Sequence, residues 1–419
     1  MKVQFISNAC AIFESNKGTK IISDPWLDDG VFEGSWCHFH KLATTWDDIQ
    51  DVDAVYISHV HPDHFDPRFF KFRKDMPLIV MDHGLNFLHK NLEKLGYTNL
   101  IKIKSGETKL FKDFELTIYS PFCGNNYFED NTKIGNLIDS ALILKADSQI
   151  IFNANDNTPD KNACHMLKEK FGRFDLSMLN YNAAGPYPSC FDNLTEEGKV
   201  QEHHANLDRN IEYLKDNLEI LDSKYFLPFA GAYVIGGKKS FKNKYLGTIT
   251  WDECAKAIRS YSNIKTETIC LRECDIFDLD TGTPNKEYIP INLDEVDKYI
   301  KSELSSLKYP YEELSFPDEN DLIEDLSNSI DALNERNKRI GISPDMDVYI
   351  YIGETAINIC KPETSKGRLD CRLDTRLLKM ILHRKAHWNN AEIGCHVDYN
   401  RNPNYYSPDI HTMLQFLHL

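Results

Sequence analysis

Apolar positions in the first half of the chain fall in short runs separated by turn residues: KVQFIS (2–7), TKIISDP (19–25), DAVYISH (53–59), PLIVM (77–81), LIKIK (100–104), FELTIYS (114–120), SALILKA (140–146) and SQIIFNAND (148–156). Runs of this length, rich in Val, Ile, Phe and Tyr and closed by Asp, Pro, Ser or Gly, predict β-strands. Only modest helical stretches such as GLNFLHKNLEKL (84–95) interrupt them. Many strands with few helices predict two sheets packed face to face and covered by helices, an α+β arrangement.

The pattern then turns helical, with KNACHMLKEKF (161–171) and the long polar stretch 196–221. A strand is predicted over KYFLPFAGAYV (224–234) and a loop over GGKKSFKNKY (236–245). Two polar helices, 292–307 and 319–339, flank a Pro-containing linker, and strands 347–353 and 356–361 precede a helix at 374–385. This order predicts a first domain over 1–285 and a smaller α+β domain over 290–419. No internal repeat interrupts the scheme.

Charge narrows the partners. With 64 acidic against 48 basic residues and a net charge of −16, the chain repels nucleic-acid backbones and anionic lipid surfaces. A local basic pocket is compatible with this balance, for instance at Lys238, Lys239, Lys242 and Lys244. The opening MKVQFISNACAIFES lacks the basic head and long apolar stretch of a secretory signal, and no apolar run approaches the ~20 residues that span a bilayer. The 11 cysteines form no regular framework and no C-x-x-C pair. The expectation is a cytoplasmic chain with reduced, mostly buried thiols and no membrane insertion.

The candidate chemistry lies in YISHVHPDHFD (56–66), where His59, His61 and His64 surround Asp63 directly after a predicted strand. Pro62 keeps regular helix from running through the cluster, so its side chains sit on a tight loop. Neutral imidazoles and a carboxylate on such a loop can converge on one or two divalent cations, zinc or iron. This H-x-H-x-D-H loop resembles the signature of the metallo-β-lactamase superfamily, and the likeness extends over about residues 1–250. The resemblance implies an αββα sandwich in which His59 and His61 bind a first metal and Asp63 and His64 a second. It also implies that Asp24 supports the loop and that Asp156, after the strand SQIIFNAN, bridges the metals.

Two later histidines of the superfamily pattern are absent. In SPFCGNNYFED Cys123, Asn125 or Asn126 could stand in for the first, or the first metal could keep an open position for water or substrate, and LPFAGAYV has no histidine at all. His203 and His204 are expected on the surface of the polar helix. The stretches DSALILKADSQIIFNANDNTPD, NYNAAGPYPSCF (180–191) and KYFLPFAGAYV are similar to the corresponding part of the CMP-N-acetylneuraminate hydroxylase family and, more distantly, to N-acylphosphatidylethanolamine phospholipase D. That hydroxylase family carries an iron–sulfur module built on C-x-H followed later by C-x-x-H, and this pair of motifs is not present; in WCHFH (36–40) Cys37 and His38 are adjacent. Asn182, Tyr187 and Tyr233, on small-residue loops, are the expected substrate contacts. The C-terminal stretch 377–419 resembles, faintly, sterol-carrier-type domains. Trp388, Tyr405 and Tyr406 are expected to pack in a core or in a homodimer contact, and His387 and His396 to be structural.

These readings predict first a metal-dependent hydrolase acting on an amide or phosphodiester bond, and the resemblance alone implies a small amino-sugar substrate, free or nucleotide-linked. A metal-activated water would attack, with Asp63 or Asp156 as the catalytic carboxylate. A non-haem iron oxygenase at the same loop is the second expectation. A non-catalytic binding protein on a degenerate scaffold is the third.

Overall fold

The computed structural model describes residues 1–66, 70–83, 87–122 and 138–419. Alternate side chains of the predicted strands enter different cores. Ala54 and Tyr56 join Val3, Phe5 and Ile21 between the two sheets, whereas Val55 and Ile57 join Ile22, Leu78 and Leu92 on the outer face. Both faces are covered, which is why these strands read as continuous apolar runs rather than as alternation.

The first sheet has eight strands in the order Thr283–Pro284, Ile276–Asp278, Lys2–Ser7, Cys10–Glu14, Lys20–Ser23, Ala54–Ile57, Leu78–Met81, Leu100–Ile103. The second has seven, in the order Glu267–Thr268, Tyr225–Phe229, Leu176–Asn180, Gln149–Asn155, Ala141–Ala146, Phe114–Tyr119, Thr108–Phe111. Helices Lys161–Phe171 and Glu196–Leu221 cover the second sheet with Cys164, Leu167, Leu214 and Leu218. Their starts are capped by the side chains of Asp160 and Thr195, which accept from the N–H of Ala163 and of Gly198. Helix Trp251–Arg259, not anticipated from the sequence, is short and opens on a capping box between Thr250 and Glu253.

Parallel pairing organises the functional edge. Lys20–Ser23, Ala54–Ile57 and Leu78–Met81 run parallel in one sheet, and Gln149–Asn155, Leu176–Asn180 and Tyr225–Phe229 in the other. Loops that follow parallel strands open on one side, the usual position of sites in such sheets.

The C-terminal sheet, ordered Thr355–Cys360, Asp347–Ile352, Arg368–Arg372, Asp398–Asn402, packs against helices Glu319–Ile340 and Thr375–Leu382. Ile300 and Leu304 still belong to the inter-sheet core, while Tyr309 and Tyr311 already belong to the C-terminal one. That second core also takes Trp26, Val31, Phe32, Trp36, Phe191 and Tyr233 from the first half of the chain. The backbone joins there too: Asp192 N–H donates to Tyr399 O at 2.7 Å and Tyr399 N–H to Cys190 O at 2.8 Å. Of the aromatic residues expected in a core or contact, Trp388 is buried, Tyr406 stacks on His411, and Tyr405 is exposed.

The lysine-rich stretch corrects the sequence reading. It is a 3₁₀-helix, Gly237–Tyr245, rather than a loop, with the Asn243 amide bonded to both N–H and C=O of Ile235. It is not a basic pocket either. Lys238 pairs with Glu312 and Asp374, Lys239 and Lys242 with Asp398, and Lys244 with Glu196. Lys242 is only 2% exposed, and a buried ammonium is tolerated because Asp398, Cys190 and the Cys395 carbonyl surround it. Among the described residues no helix is long and apolar enough to cross a membrane.

Candidate metal centre

The strand Ala54–Ile57 ends at Ser58, and the next residues turn back on themselves: N–H groups of His64 and Phe65 both donate to His61 O. The neighbouring parallel strand ends at Ser23, which brings Asp24 beside the loop. Asp24 is fully buried and accepts three hydrogen bonds, from Ser58 N–H at 2.7 Å, Ser58 Oγ at 2.6 Å and His64 Nδ1 at 2.9 Å. Those bonds choose tautomers. His64 spends its Nδ1 proton on Asp24, and Ser58, its own proton given to Asp24, can only accept from His59 Nδ1 at 3.0 Å. Both rings therefore turn Nε2 toward the same space.

Carboxylates meet them from the second sheet. Asp156 follows Gln149–Asn155, where a register shift at Asn153–Asn155 re-aims the chain. Its Oδ2 lies 3.3 Å from His64 Nε2 and 3.8 Å from His59 Nε2. Asp63 Oδ2 lies 3.3 Å from His64 Nε2, and Asp139 Oδ1 lies 3.6 Å from His59 Nε2. His61 Nδ1 stands 2.9 Å from His59 Nε2. Two groups, His59 with His61 and Asp139 and His59 with His64 and Asp156, each have donor atoms within 4.8 Å of one another. His64 Nε2 is buried without a hydrogen-bond partner. An orphaned imidazole nitrogen facing two carboxylates at 3.3 Å fits a shared cation better than a hydrogen-bonded core.

The electrostatics agree. Burial, then His64 and His61, push the His59 imidazole well below its ordinary range, so it is neutral as a ligand must be. Burial acts the same way on His64, but Asp63, Asp156 and Asp24 outweigh it and hold that imidazolium well above its ordinary range. Against the cost of desolvation, His64 holds Asp156 below the usual carboxylate range. The site concentrates negative charge and invites a cation.

Asparagines hold the carboxylates. Asn8, at the hairpin turn between Lys2–Ser7 and Cys10–Glu14, donates to Asp63 Oδ2 at 3.2 Å, and Asn180 donates to Asp156 Oδ1 at 3.1 Å. Asn8 and Asn180 carried no recognisable motif. On the open side, Asn389 Oδ1 lies 3.0 Å from His61 Nε2.

The structure brings His59, His61, Asp63, His64 and Asp156 together and sets the expected substrate contacts differently. The Asn182 side chain is consumed by the backbone, donating to Gly231 O and Ile249 O and accepting from Ile249 N–H. Its own N–H donates to Asn180 Oδ1, so it acts on Asp156 through Asn180 rather than on a ligand. Tyr233 is buried and stacked on Trp36 at 3.5 Å. Tyr187 packs edge-on against Phe191 beneath the Arg401 guanidinium. His203 accepts from Gly247 N–H. His38 lies 4.1 Å from Trp26, ring to ring. His396 is satisfied by Tyr311 Oη and Phe32 O. Cys123, Asn125 and Asn126 lie outside the described residues.

Asp139 is the residue that sequence reading missed, and the signal for it was present. Strands Ala141–Ala146 and Gln149–Asn155 form a tight antiparallel hairpin with Leu142 opposite Asn153. Extending that register places Asp139 opposite Asp156. A hairpin with Asp at both open ends delivers two carboxylates to one edge.

Residues 2–111 match the family model of the beta-lactamase superfamily domain. A relative from Mycolicibacterium smegmatis, provisionally described as a Rieske 2Fe-2S iron–sulfur protein, is 29% identical over 55% of this chain and 43% of its own length. The cytidine monophosphate-N-acetylneuraminic acid hydroxylase of Mus musculus is 23% identical over 56% of this chain and 39% of its own. The chain thus spans less than half the length of these relatives. The isothiocyanate hydrolase from Delia radicum gut bacteria superposes with a TM-score of 0.45 at 16% identity, covering 66% of this chain and 99% of that one. Residues 2–111, which include the His-rich loop at the end of Ala54–Ile57, are thus similar to a beta-lactamase superfamily domain, within an α+β fold of two facing sheets.

Proposed function

We propose that this chain is a metalloenzyme in which His59, His61, Asp63, His64, Asp139 and Asp156 hold one or two divalent cations, iron in preference to zinc, for the oxygenation of a small molecule. The observation that carries this reading is Asp139. It supplies a carboxylate where the superfamily pattern expects a histidine, so His59, His61 and Asp139 form a two-histidine, one-carboxylate group. That donor set with open positions is characteristic of non-haem iron that reacts with dioxygen. Likeness to a relative named as a hydroxylase supports the same reaction class.

Bound there, iron supplies dioxygen activation and zinc supplies an acidified water. The protein's own share is to hold the donors. Asp24 fixes the His64 tautomer, Ser58 that of His59, and Asn8 and Asn180 orient Asp63 and Asp156. Inserting one oxygen atom of dioxygen into a C–H bond and releasing the other as water consumes two electrons and two protons. An electron-transfer group, an iron–sulfur cluster or a flavin, must deliver the electrons.

Hydrolysis is the second reading, and one observation favours it. The Asp156 side chain is 28% exposed, so it alone of the cluster's carboxylates can take a proton from a water reaching the cations from solvent. An amino-sugar nucleotide remains the candidate substrate through the relatives alone, because the lysines suited to its phosphate are already paired.

Metal analysis of protein purified from iron-replete cells, followed by dioxygen uptake with a reductant and CMP-N-acetylneuraminate, tests both readings. Stoichiometric iron and substrate-dependent uptake are expected. Two tightly held zinc ions with release of a hydrolysed product would replace oxygenation with hydrolysis.

A further inference from the structure

One hydrogen bond in the metal centre spans 328 residues of sequence: His61 Nε2 to Asn389 Oδ1, 3.0 Å. Asn389 belongs to the short helix Trp388–Ile393 of the C-terminal region, which none of the sequence motifs connected with the metal loop. The other nitrogen of the same ring, Nδ1, faces His59 Nε2 at 2.9 Å, inside the group with Asp139. A neutral imidazole carries one proton. An amide oxygen against Nε2 keeps that proton there and leaves the Nδ1 lone pair for the cation.

We propose that Asn389 is the positioning residue for His61, and that the C-terminal region is thereby a working part of the metal centre rather than an appendage. The inference rests on the metal reading above and adds to it the source of the His61 tautomer. It also explains why this helix is docked so closely. Asn389 N–H donates to His387 Nδ1, which caps the helix start, and Trp388 is 1% exposed. Trp36 Nε1 donates to Ile393 O at 3.1 Å, and His396 Nε2 donates to Phe32 O at 2.9 Å. Gly394 permits the contact, since a Cβ there would stand 2.8 Å from both Phe32 O and Ser35 Oγ. Phe32 in turn lies 6.2 Å from the His61 ring. The segment Val31–Trp36 is thus held between the metal loop and the helix that reaches over to it.

The test is cobalt(II) titration of the full chain, read by competition with a chelator and by the visible absorption of the bound ion. Asn389→Leu removes the acceptor, and removal of such an outer partner weakens metal affinity by about 10- to 100-fold. Asn389→Asp keeps an acceptor and is expected to stay within a few-fold of the parent, with its cobalt spectrum retained. Parent affinity and spectrum in Asn389→Leu would overturn the inference, as would loss in Asn389→Asp with retention in Asn389→Leu. Nitrogen-15 shifts of His61 in the unsubstituted protein loaded with zinc give a reading that needs no variant: a proton on Nε2 is expected, and a proton on Nδ1 overturns the proposal. If the parent binds cobalt no better than His59→Ala/His61→Ala, the metal reading itself falls, an outcome distinct from failure of the Asn389 assignment.

Discussion

Single side chains in this protein act through the hydrogen bonds that fix their protons. Asp24 is the clearest case, since one buried carboxylate serves Ser58 and His64 at once. Asp24→Ala should cost roughly 3–5 kcal/mol, because it strands buried donors, and should lower metal affinity about 10- to 100-fold. Urea unfolding and chelator competition read the two effects separately. Asp139→Ala should remove metal from the His59–His61 group while leaving the fold intact, which elemental analysis and far-UV circular dichroism would check. Asn182→Ala should behave oppositely to a substrate contact. It deletes the bonds to Gly231 and Ile249 and should lower stability by about 1–3 kcal/mol, with little change in KM for whatever substrate is turned over.

At the scale of elements, the edge works because loops from two sheets and one appended helix end in the same place. The His-rich loop was legible because its candidate ligands lie within six positions and a strand before them is unmistakable. Asp156 was legible as the first carboxylate after an apolar run. Asp139 needed the hairpin register, and Asn389 belonged to an element whose docking nothing in its own composition announces. The 3₁₀-helix Gly237–Tyr245 was misread as a loop because its lysines look solvated, whereas Lys239 and Lys242 bind Asp398 of the C-terminal strand. That contact gives a pH prediction. Against its desolvation, Lys242 and Lys239 hold Asp398 below the usual carboxylate range. Its stabilisation is therefore complete above the ordinary carboxylate pKa of about 4 and is lost as pH falls through the lowered value. Asp398→Asn should cost roughly 3–5 kcal/mol at neutral pH and flatten the acid limb of stability followed by urea unfolding.

For the molecule as a whole, the C-terminal region covers aromatic residues of the first half rather than hanging from it. Trp26, Phe32, Trp36, Phe191 and Tyr233 all lie in the shared core. A chain ended after residue 288 should expose that surface, bind a dye that reports apolar patches and precipitate, whereas the full chain should not. Sedimentation with dye fluorescence would decide it. A well-behaved truncated protein with undiminished metal affinity would show the region to be independent of the centre.

The amino-acid sequence by itself determined what short-range spacing can encode. Strand runs follow from apolar residues that fill both faces of a sheet, and the cluster of His59, His61, Asp63 and His64 from its place after a strand. Only the tertiary structure decided which distant groups share a cavity: Asp139 beside His59, Asn389 on His61, and Asp398 against the lysines. The physical reason is that a hydrogen bond or a ligand set depends on which surfaces are buried against each other. Sequence distance carries almost none of that information.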